Sequence, residues 1–403
     1  MKKFNKIKLA TAFGSVVLAT ALSVPANAAI VLGGDNGWEV SYGGFVNLFY
    51  TQSDFEFSPG ANCFSPTNCQ EDSAHLQEGL LPAFHTFTVK SPEINGLKGT
   101  GQITFAPDSS LNKTGRLNKA GLFGSGPSID MREVFFSVSG DFGTITAGRT
   151  LSLFQRQAIL KDYTLFGMGA LAGPDGSGTG LGRIGFGYVY PDFRTQFKYT
   201  TPDINGFVLD IAIFDPQEPI GVGNISETDT PQFQAEANYN TAFDGGSFGV
   251  WVGFLWQEQE ITVGTTTTES TSFGYNIGVD INFGGFNFMG SYYDGEALGS
   301  VLFNLGGAGD AACAASCVES DSDGYIIQGA YTFNGTTKLG ISYGESNDQT
   351  PGAVKTTNQL WTVGVYHDVN SWLKVIAEYG SYESDFFGFE DVDTFSIGGF
   401  LLW

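Results

Sequence analysis

The chain is short of positive charge. Its 403 residues carry 19 Lys and Arg against 42 Asp and Glu, a formal net charge of -23 at pH 7. A nucleic-acid-binding surface must present clustered cations to phosphate, so this balance excludes DNA and RNA as partners. Histidine is rarer still: His75, His85 and His367 fall on one loop and two distant stretches. No serine stands in the setting of a nucleophile elbow, so no catalytic group is assigned and the chain is not read as an enzyme. The four cysteines form two close pairs, Cys63 with Cys69 and Cys313 with Cys317, without C-x-x-C spacing. In an exported chain such pairs read as local disulfides rather than metal ligands, and neither a metal nor a cofactor is expected from them. Past the N-terminus no apolar run approaches the ~20 residues that a spanning helix needs.

Export is itself an expectation from the sequence. Lys2, Lys3, Lys6 and Lys8 precede an apolar stretch over residues 9–23 and the small-residue site Ala26-Asn27-Ala28. That order describes a cleavable leader over residues 1–28, with a single domain over 29–403. The mature chain is more acidic still.

Aromatic residues and glycine are abundant: 36 Phe, 16 Tyr and 56 Gly. A transmembrane β-barrel needs aromatics at both interfaces and small residues where strands crowd, and the composition suits it. Periodicity carries the argument further. Over residues 272–283, Phe273, Tyr275, Ile277, Val279, Ile281 and Phe283 share one parity, and Ser272, Gly274, Asn276, Gly278, Asp280 and Asn282 the other. Strand side chains alternate in direction, so one face is wholly apolar and the other polar or small. Alternation alone fits a soluble sandwich as well. Sixteen strands can be placed, at 38–51, 83–91, 97–106, 129–139, 144–150, 193–201, 206–214, 232–241, 247–258, 271–282, 286–294, 324–333, 336–345, 358–368, 371–382 and 392–403. Short links, such as Gly284-Gly285 and Asn334-Gly335, alternate with long ones centred near 66, 117, 170, 223, 264, 308, 351 and 387. Outer-membrane barrels sort their connections in this way and have even strand counts; a sandwich has no reason to. The expected fold class is all-β, a transmembrane antiparallel barrel of about sixteen strands around an aqueous lumen.

One stretch breaks the rhythm. After the strand-turn-strand unit ending at Thr150, residues 151–192 cannot be laid out as alternating strand, and an insertion of that length is normally functional. All six arginines (116, 132, 149, 156, 183 and 194) lie in or just before the stretch from Met131 to Arg194. In so acidic a chain the concentration asks for a local cause.

The run Arg132-Glu133-Val134-Phe135-Phe136-Ser137-Val138-Ser139-Gly140-Asp141-Phe142-Gly143-Thr144-Ile145-Thr146-Ala147-Gly148-Arg149 resembles the strand-turn-strand signature of Gram-negative general diffusion porins. Tyr199-Thr200-Thr201-Pro202 with Asn205-Gly206-Phe207 is similar to the strands after their inward loop, and the last strand ends on an aromatic, Trp403, where the family usually has Phe. The resemblance implies a homotrimer in the Gram-negative outer membrane, in contact with its lipid and lipopolysaccharide. Each barrel would pass small hydrophilic solutes and ions passively through a channel narrowed by its third long loop, here residues 151–192. It further implies that Arg132 and Arg149 line the wall, and that either Arg183 or Arg194 matches the arginine after the loop. The loop lacks the family's Pro-Glu-Phe-Gly-Gly run; Asp162 and Asp175 are its acids before Asp192, and it adds Arg156 and Lys161.

By parity Arg194 and Lys198 face the lumen, as do Glu236, Asp280, Lys338, Lys374 and Glu378 on other strands. Arg149 shares the face of Ile145 and Ala147 and reaches the lumen only with a bulge near Gly148 or if that apolar face is not lipid-exposed. Channel-lining arginines would set ion preference; the structural alternative is that they pair acids and stiffen the wall. A second functional reading makes Phe154, Arg156, Tyr163 and Phe166 a binding track for sugars or anions. A third is a secreted all-β binding protein or adhesin.

Two motif-like strings are discounted. The alternating glycines Gly176, Gly178, Gly180 and Gly182 have no feeding strand and no following helix, so they are not a phosphate loop. Glu319-x-Asp321-x-Asp323-Gly324 begins like a calcium loop, but Ala330 stands where the closing carboxylate is needed. The acids of the later external loops (Asp294, Glu296, Asp310, Glu319, Asp321, Asp323, Glu383, Asp385, Glu390 and Asp391) are candidates for divalent cations shared with lipopolysaccharide phosphates.

Overall fold

The computed structural model describes residues 29–58, 71–107, 129–174, 176, 178–217, 225–228, 230–263, 265–301, 319–349 and 354–403. The leader, all four cysteines, Arg116, Asp175 and Asp310 lie outside the described residues.

Sixteen strands follow the chain. The first half are β1 Glu39–Phe57, β2 Phe84–Lys90, β3 Lys98–Pro107, β4 Ile129–Gly140, β5 Gly143–Leu151, β6 Phe193–Thr200, β7 Phe207–Phe214 and β8 Gln232–Phe243. The second half are β9 Gly246–Val263, β10 Thr266–Phe283, β11 Phe286–Glu296, β12 Asp321–Phe333, β13 Thr337–Gln349, β14 Thr356–Asp368, β15 Leu373–Ser384 and β16 Phe389–Leu402. Each is antiparallel to the next, and β16 returns to β1 from Leu402↔Phe45 to Phe389↔Phe57. The sheet therefore has no edge, which is the condition for crossing hydrocarbon with strands, since every backbone N–H and C=O must be paired. Short strands at Ile30–Gly33 and Asp72–Gln77 add to β1, and one at Ile225–Glu227 adds to β9.

The two parities separate as the sequence requires. Phe273, Tyr275, Ile277 and Ile281 on β10 are exposed on the outside, while Ser272 and Asn276 on the same strand are fully buried. The same division holds around the wall, with Leu48, Phe136, Phe197, Ile213, Phe288, Ile341 and Phe395 outside. An outer surface this apolar would be an aggregation hazard in water and is the ordinary solvent-facing surface in lipid. At Gly284-Gly285 the hairpin turns in two residues with φ of +55° and +91°, a conformation only glycine adopts without strain.

All sixteen predicted strands are present, but two of the predicted long links, near 264 and 387, are short. β9 and β10 run on to Val263↔Thr266, so the link near 264 is the tip of a tall hairpin. The run Thr265-Thr266-Thr267-Thr268, polar yet β-branched, favours extended chain over loop. Only residues 385–388 separate β15 from β16, where Phe389 packs edge-on against Phe55 and Phe57 of a β1 longer than expected. Rim strands extended by aromatic and β-branched pairs leave less chain for loops.

A charge placed on the lipid face tests this orientation. Ile277→Arg, midway along β10, is expected to cost about 2–4 kcal/mol, read as a lower urea midpoint in detergent or lipid; Asn276, its inward neighbour, is the comparison position.

Candidate functional site

The strands β5 and β6 are joined by the segment 152–192, and this segment lies inside the barrel. Its N-terminal end carries a short helix, α1 Arg156–Lys161, followed by a 3-10 turn at Tyr163–Phe166. Ala158, Ile159, Tyr163, Leu165, Met168, Ala170, Leu171, Ile184, Phe186 and Tyr188 of the segment share one buried apolar cluster with wall residues from opposite sides, including Phe49, Trp251, Ile326, Leu360, Tyr382 and Phe400. The segment therefore crosses the lumen rather than lining one side of it.

Polar anchors hold it at three places. At the near wall, the Arg156 guanidinium donates to Asp210 of β7 and Glu236 of β8, at 2.5 Å each, and both carboxylates are buried. Gln157 adds a bond to Glu236, and Lys198 lies 3.9 Å from Asp210. Burial disfavours the Arg156 charge, but Glu236 and Asp210 outweigh it and hold the guanidinium pKa above its ordinary value. At the far wall, fully buried Arg183 donates to the carbonyls of Leu360 at 2.8 Å and Ser342 at 3.0 Å and to Thr362 Oγ1 at 2.7 Å. Beside it, Glu378 of β15 accepts the Met168 N–H at 2.6 Å, the Gly169 N–H at 3.2 Å and the Tyr366 hydroxyl. The third contact is with residues 78–83, which also turn inward: Leu80 N–H donates to Gly167 O and Gly180 N–H to Glu78 O. Glycines in the wall make room for the segment. A Cβ at Gly344 would collide with Phe186 O, and one at Gly340 would stand 3.1 Å from the Tyr163 ring.

Asp162 does not face the passage as an acid. It caps the 3-10 turn, accepting from Thr164 N–H and Oγ1 at 2.9 and 2.6 Å and from the Tyr188 hydroxyl at 2.9 Å. Burial pushes its carboxyl up, against the pull of Arg183 and of the Thr164 bonds.

The arginines divide. Arg149 is a correction to the expectation that it lines the lumen: it stands on the outer face beside Val134, its Nε donating to Met131 O at 3.0 Å. The β4–β5 register runs unbroken from Val134↔Arg149 to Gly140↔Gly143, so nothing turns it inward. The irregularity lies between β3 and β4, where Thr104 faces Glu133 and Phe105 faces Met131, leaving Arg132 as the extra residue. That bulge turns Arg132 onto the end of the inward segment, where it bonds Tyr190 Oη at 2.9 Å and Asp130 at 2.7 Å. Arg194 is buried on β6, donating to Gln232 Oε1 and Asp215 O. Arg156, Arg183 and Arg194 are thus 2%, 0% and 5% exposed, and they serve the structural alternative rather than an open charged lining. The proposed binding track meets the same limit, since Phe154, Arg156 and Tyr163 are packed against the wall and Phe166 alone of the four is half-exposed.

The lysines differ. Lys161, at the end of α1, is 25% exposed and lies 3.7 Å from Asp280 and over the Trp251 ring. Lys374 is 19% exposed, pairs with Asp368 at 2.5 Å and lies over the Phe166 ring. Lys338 is half-buried on the same side of the lumen.

Sequence reasoning missed Asp210, Tyr366 and residues 78–83. Asp210 was legible as the one acid in an apolar strand; Tyr366 and residues 78–83 gave no such signal. The histidines sit in ordinary roles: His85 bonds Tyr42, His367 bonds Thr337, and His75 bonds Pro174 O. Among the described residues no three His, Cys, Asp or Glu side chains converge on a point that could hold a metal.

A closed antiparallel barrel with an apolar outside and an inward segment across a polar lumen is the architecture of an outer-membrane channel. The Gram-negative porin family matches residues 14–386, and the chain belongs to that family. It is 25% identical over 265 residues to Porin-like protein H of Photobacterium profundum, covering 63% of this chain and 68% of the relative. Among solved structures, it superposes on the outer membrane channel DcaP of Acinetobacter baumannii with a TM-score of 0.67 at 14% identity, covering 93% of this chain and 99% of that one. It also superposes on an anion-selective porin from Comamonas acidovorans with a TM-score of 0.62 at 15% identity, over 91% and 100% of the chains. The protein is an outer-membrane channel for passive diffusion.

Removing Arg156 leaves Asp210 and Glu236 buried with one distant cation between them. Arg156→Ala is expected to lower stability by about 3–5 kcal/mol, measured by urea unfolding in lipid, and pairing it with Glu236→Gln is expected to return part of the loss.

Proposed function

We propose that the segment 152–192 is a fixed diaphragm that sets the size limit of the channel, admitting small hydrophilic solutes and holding larger ones back. One observation carries this reading: the segment is anchored to opposite walls at once, by Arg156 on β7 and β8 and by Arg183 and Glu378 on β13 to β15. A segment tied at one end only would swing on the timescale of loops; this one is held by buried charge-assisted bonds that cost several kcal/mol to break. The solute reaches the diaphragm through water, so hydrophilicity and size decide passage.

The working unit is proposed to be a homotrimer, as family membership suggests. The wall from β2 to β7 supports this: its strands span 7 to 12 residues, against 18 in β9 and β10. Its outer face carries Phe87, Ile103, Val134 and Phe136, an apolar surface of low height suited to neighbouring barrels. The leader over residues 1–28 is proposed to be removed on export.

Single-channel recording in a planar bilayer tests the diaphragm. Glu378→Ala removes the acceptor for Met168 and Gly169 N–H and for the Tyr366 hydroxyl, at a cost of about 1–3 kcal/mol per orphaned group. The expected result is a larger and noisier unit conductance; a variant that conducts as the parent does would show that this anchor does not hold the aperture.

A further inference from the structure

We propose that this channel prefers anions, and that the preference is set at its short-turn mouth by Lys161, Lys338 and Lys374 rather than by the arginines of the inward segment. The inference rests on the diffusion-channel reading above and names the class of solute that the channel favours.

The arginines offer little free charge to a passing ion. Arg156, Arg183 and Arg194 are buried and bonded, Arg149 is on the outer face, and Arg132, though 20% exposed, has its charge paired with Asp130 and held by Tyr190. Less compensated cations lie in the patch between α1 and strands β10 to β15. Lys338 and Lys374 occupy inward registers there, beside Tyr366 and Asp368 of β14 respectively. Lys161 approaches the patch from the segment side.

Two carboxylates oppose the three ammonium groups, and both are already engaged. Asp280 faces Lys161 and also accepts from Asn282 at 2.9 Å and from Asn287 at 2.8 Å. Asp368 is paired with Lys374. Lys338 has no ion pair within 4 Å among the described residues; Asp368 and Asp280 act on it only at longer range and are already shared with Lys374 and Lys161, so its charge is the least compensated. Across the mouth Glu39 and Lys90 neutralise each other at 3.0 Å.

The chain as a whole is strongly acidic, but that charge lies mostly on the outer rim and in exposed turns, including Glu93, Asp141, Asp203 and Asp244 at the short-turn end, where water screens it. From Lys338 to Asp348, at the opposite end of β13, is ten residues of strand, roughly 30 Å. The Debye length at physiological salt is about 8 Å, so acids on the outer rim are screened from the patch while the local lysines are not. In a narrow passage the sign of the nearest fixed charge governs which ion enters. A small anion such as chloride, or a solute bearing a carboxylate or phosphate, is the favoured occupant.

Reversal potential across a planar bilayer under a KCl gradient reads this directly. The expected parent channel passes chloride more readily than potassium. Lys338→Glu is expected to lower the chloride-to-potassium permeability ratio by roughly twofold or more, Lys338→Met by less, and Asp280→Asn to raise it. Should Lys338→Glu fail to insert, Lys338→Met and Asp280→Asn carry the comparison in opposite directions. A parent channel that favours potassium, or variants that conduct with an unchanged ratio, would overturn the proposal while leaving the channel itself standing. A purified protein that forms no channels would remove the diffusion-channel reading and this inference with it.

Discussion

A strand in hydrocarbon has no water to satisfy its backbone, and each unpaired N–H or C=O there costs several kcal/mol. The pairing of β16 with β1 discharges that constraint, because it removes the last two edges of the sheet. Everything else in the molecule follows from having an outside and an inside. The outside must be apolar and can be so without penalty. The inside is shut off from lipid, so polar side chains, and a segment that is neither strand nor exposed loop, can be housed there.

The inward segment is held by a division of labour. Apolar contacts with Phe49, Trp251, Ile326 and Phe400 supply adhesion without direction, while Arg156, Arg183 and Glu378 supply direction. The two arginines solve the burial of charge differently. Arg156 meets two carboxylates and Lys198 meets one of them, giving a cluster of balanced charge. Arg183 meets carbonyl and hydroxyl oxygens, so its partners belong to the backbone of the wall and tie it to the sheet itself. Small residues such as Gly344 let the segment approach the wall closely enough for those bonds to form.

Charge is distributed by depth rather than by sign alone. Most of the cations near the inward segment are consumed by the structure, and the acids that meet them are consumed too. The acidic surplus sits on the outer rim and loops, where water screens it. A short row of lysines is left facing the passage, resting on the Trp251 and Phe166 rings. Net charge, a whole-chain quantity, therefore describes solubility and the outer surface better than it describes the lumen.

How much of this was legible in the chain depended on whether the signal was periodic. Strand number, order and facing were, because alternation over ten residues repeats at every strand and closure is the only way to satisfy it in lipid. The Arg132 to Arg149 run and the 151–192 interruption marked where the strand pattern gives way to the segment between β5 and β6. Strand ends were legible only in part: the Thr-rich tip between β9 and β10 reads as loop by polarity and forms strand by propensity. The fates of individual arginines were legible only in part. Parity placed Arg149 on the apolar face and Arg194 on the lumen face, where they lie; by the same alternation Arg132 belongs on the outer face with Val134 and Arg149, and only a one-residue bulge opposite Phe105 turned it toward the inward segment. The order of residues was enough to specify the barrel, its two faces and the identity of the segment that crosses it, since those rest on local periodicity and backbone pairing. Which charges are buried and which meet the solute emerged with the folded chain, since that depends on partners such as Arg183 and Ser342, or Glu378 and Met168, more than 150 residues apart in sequence.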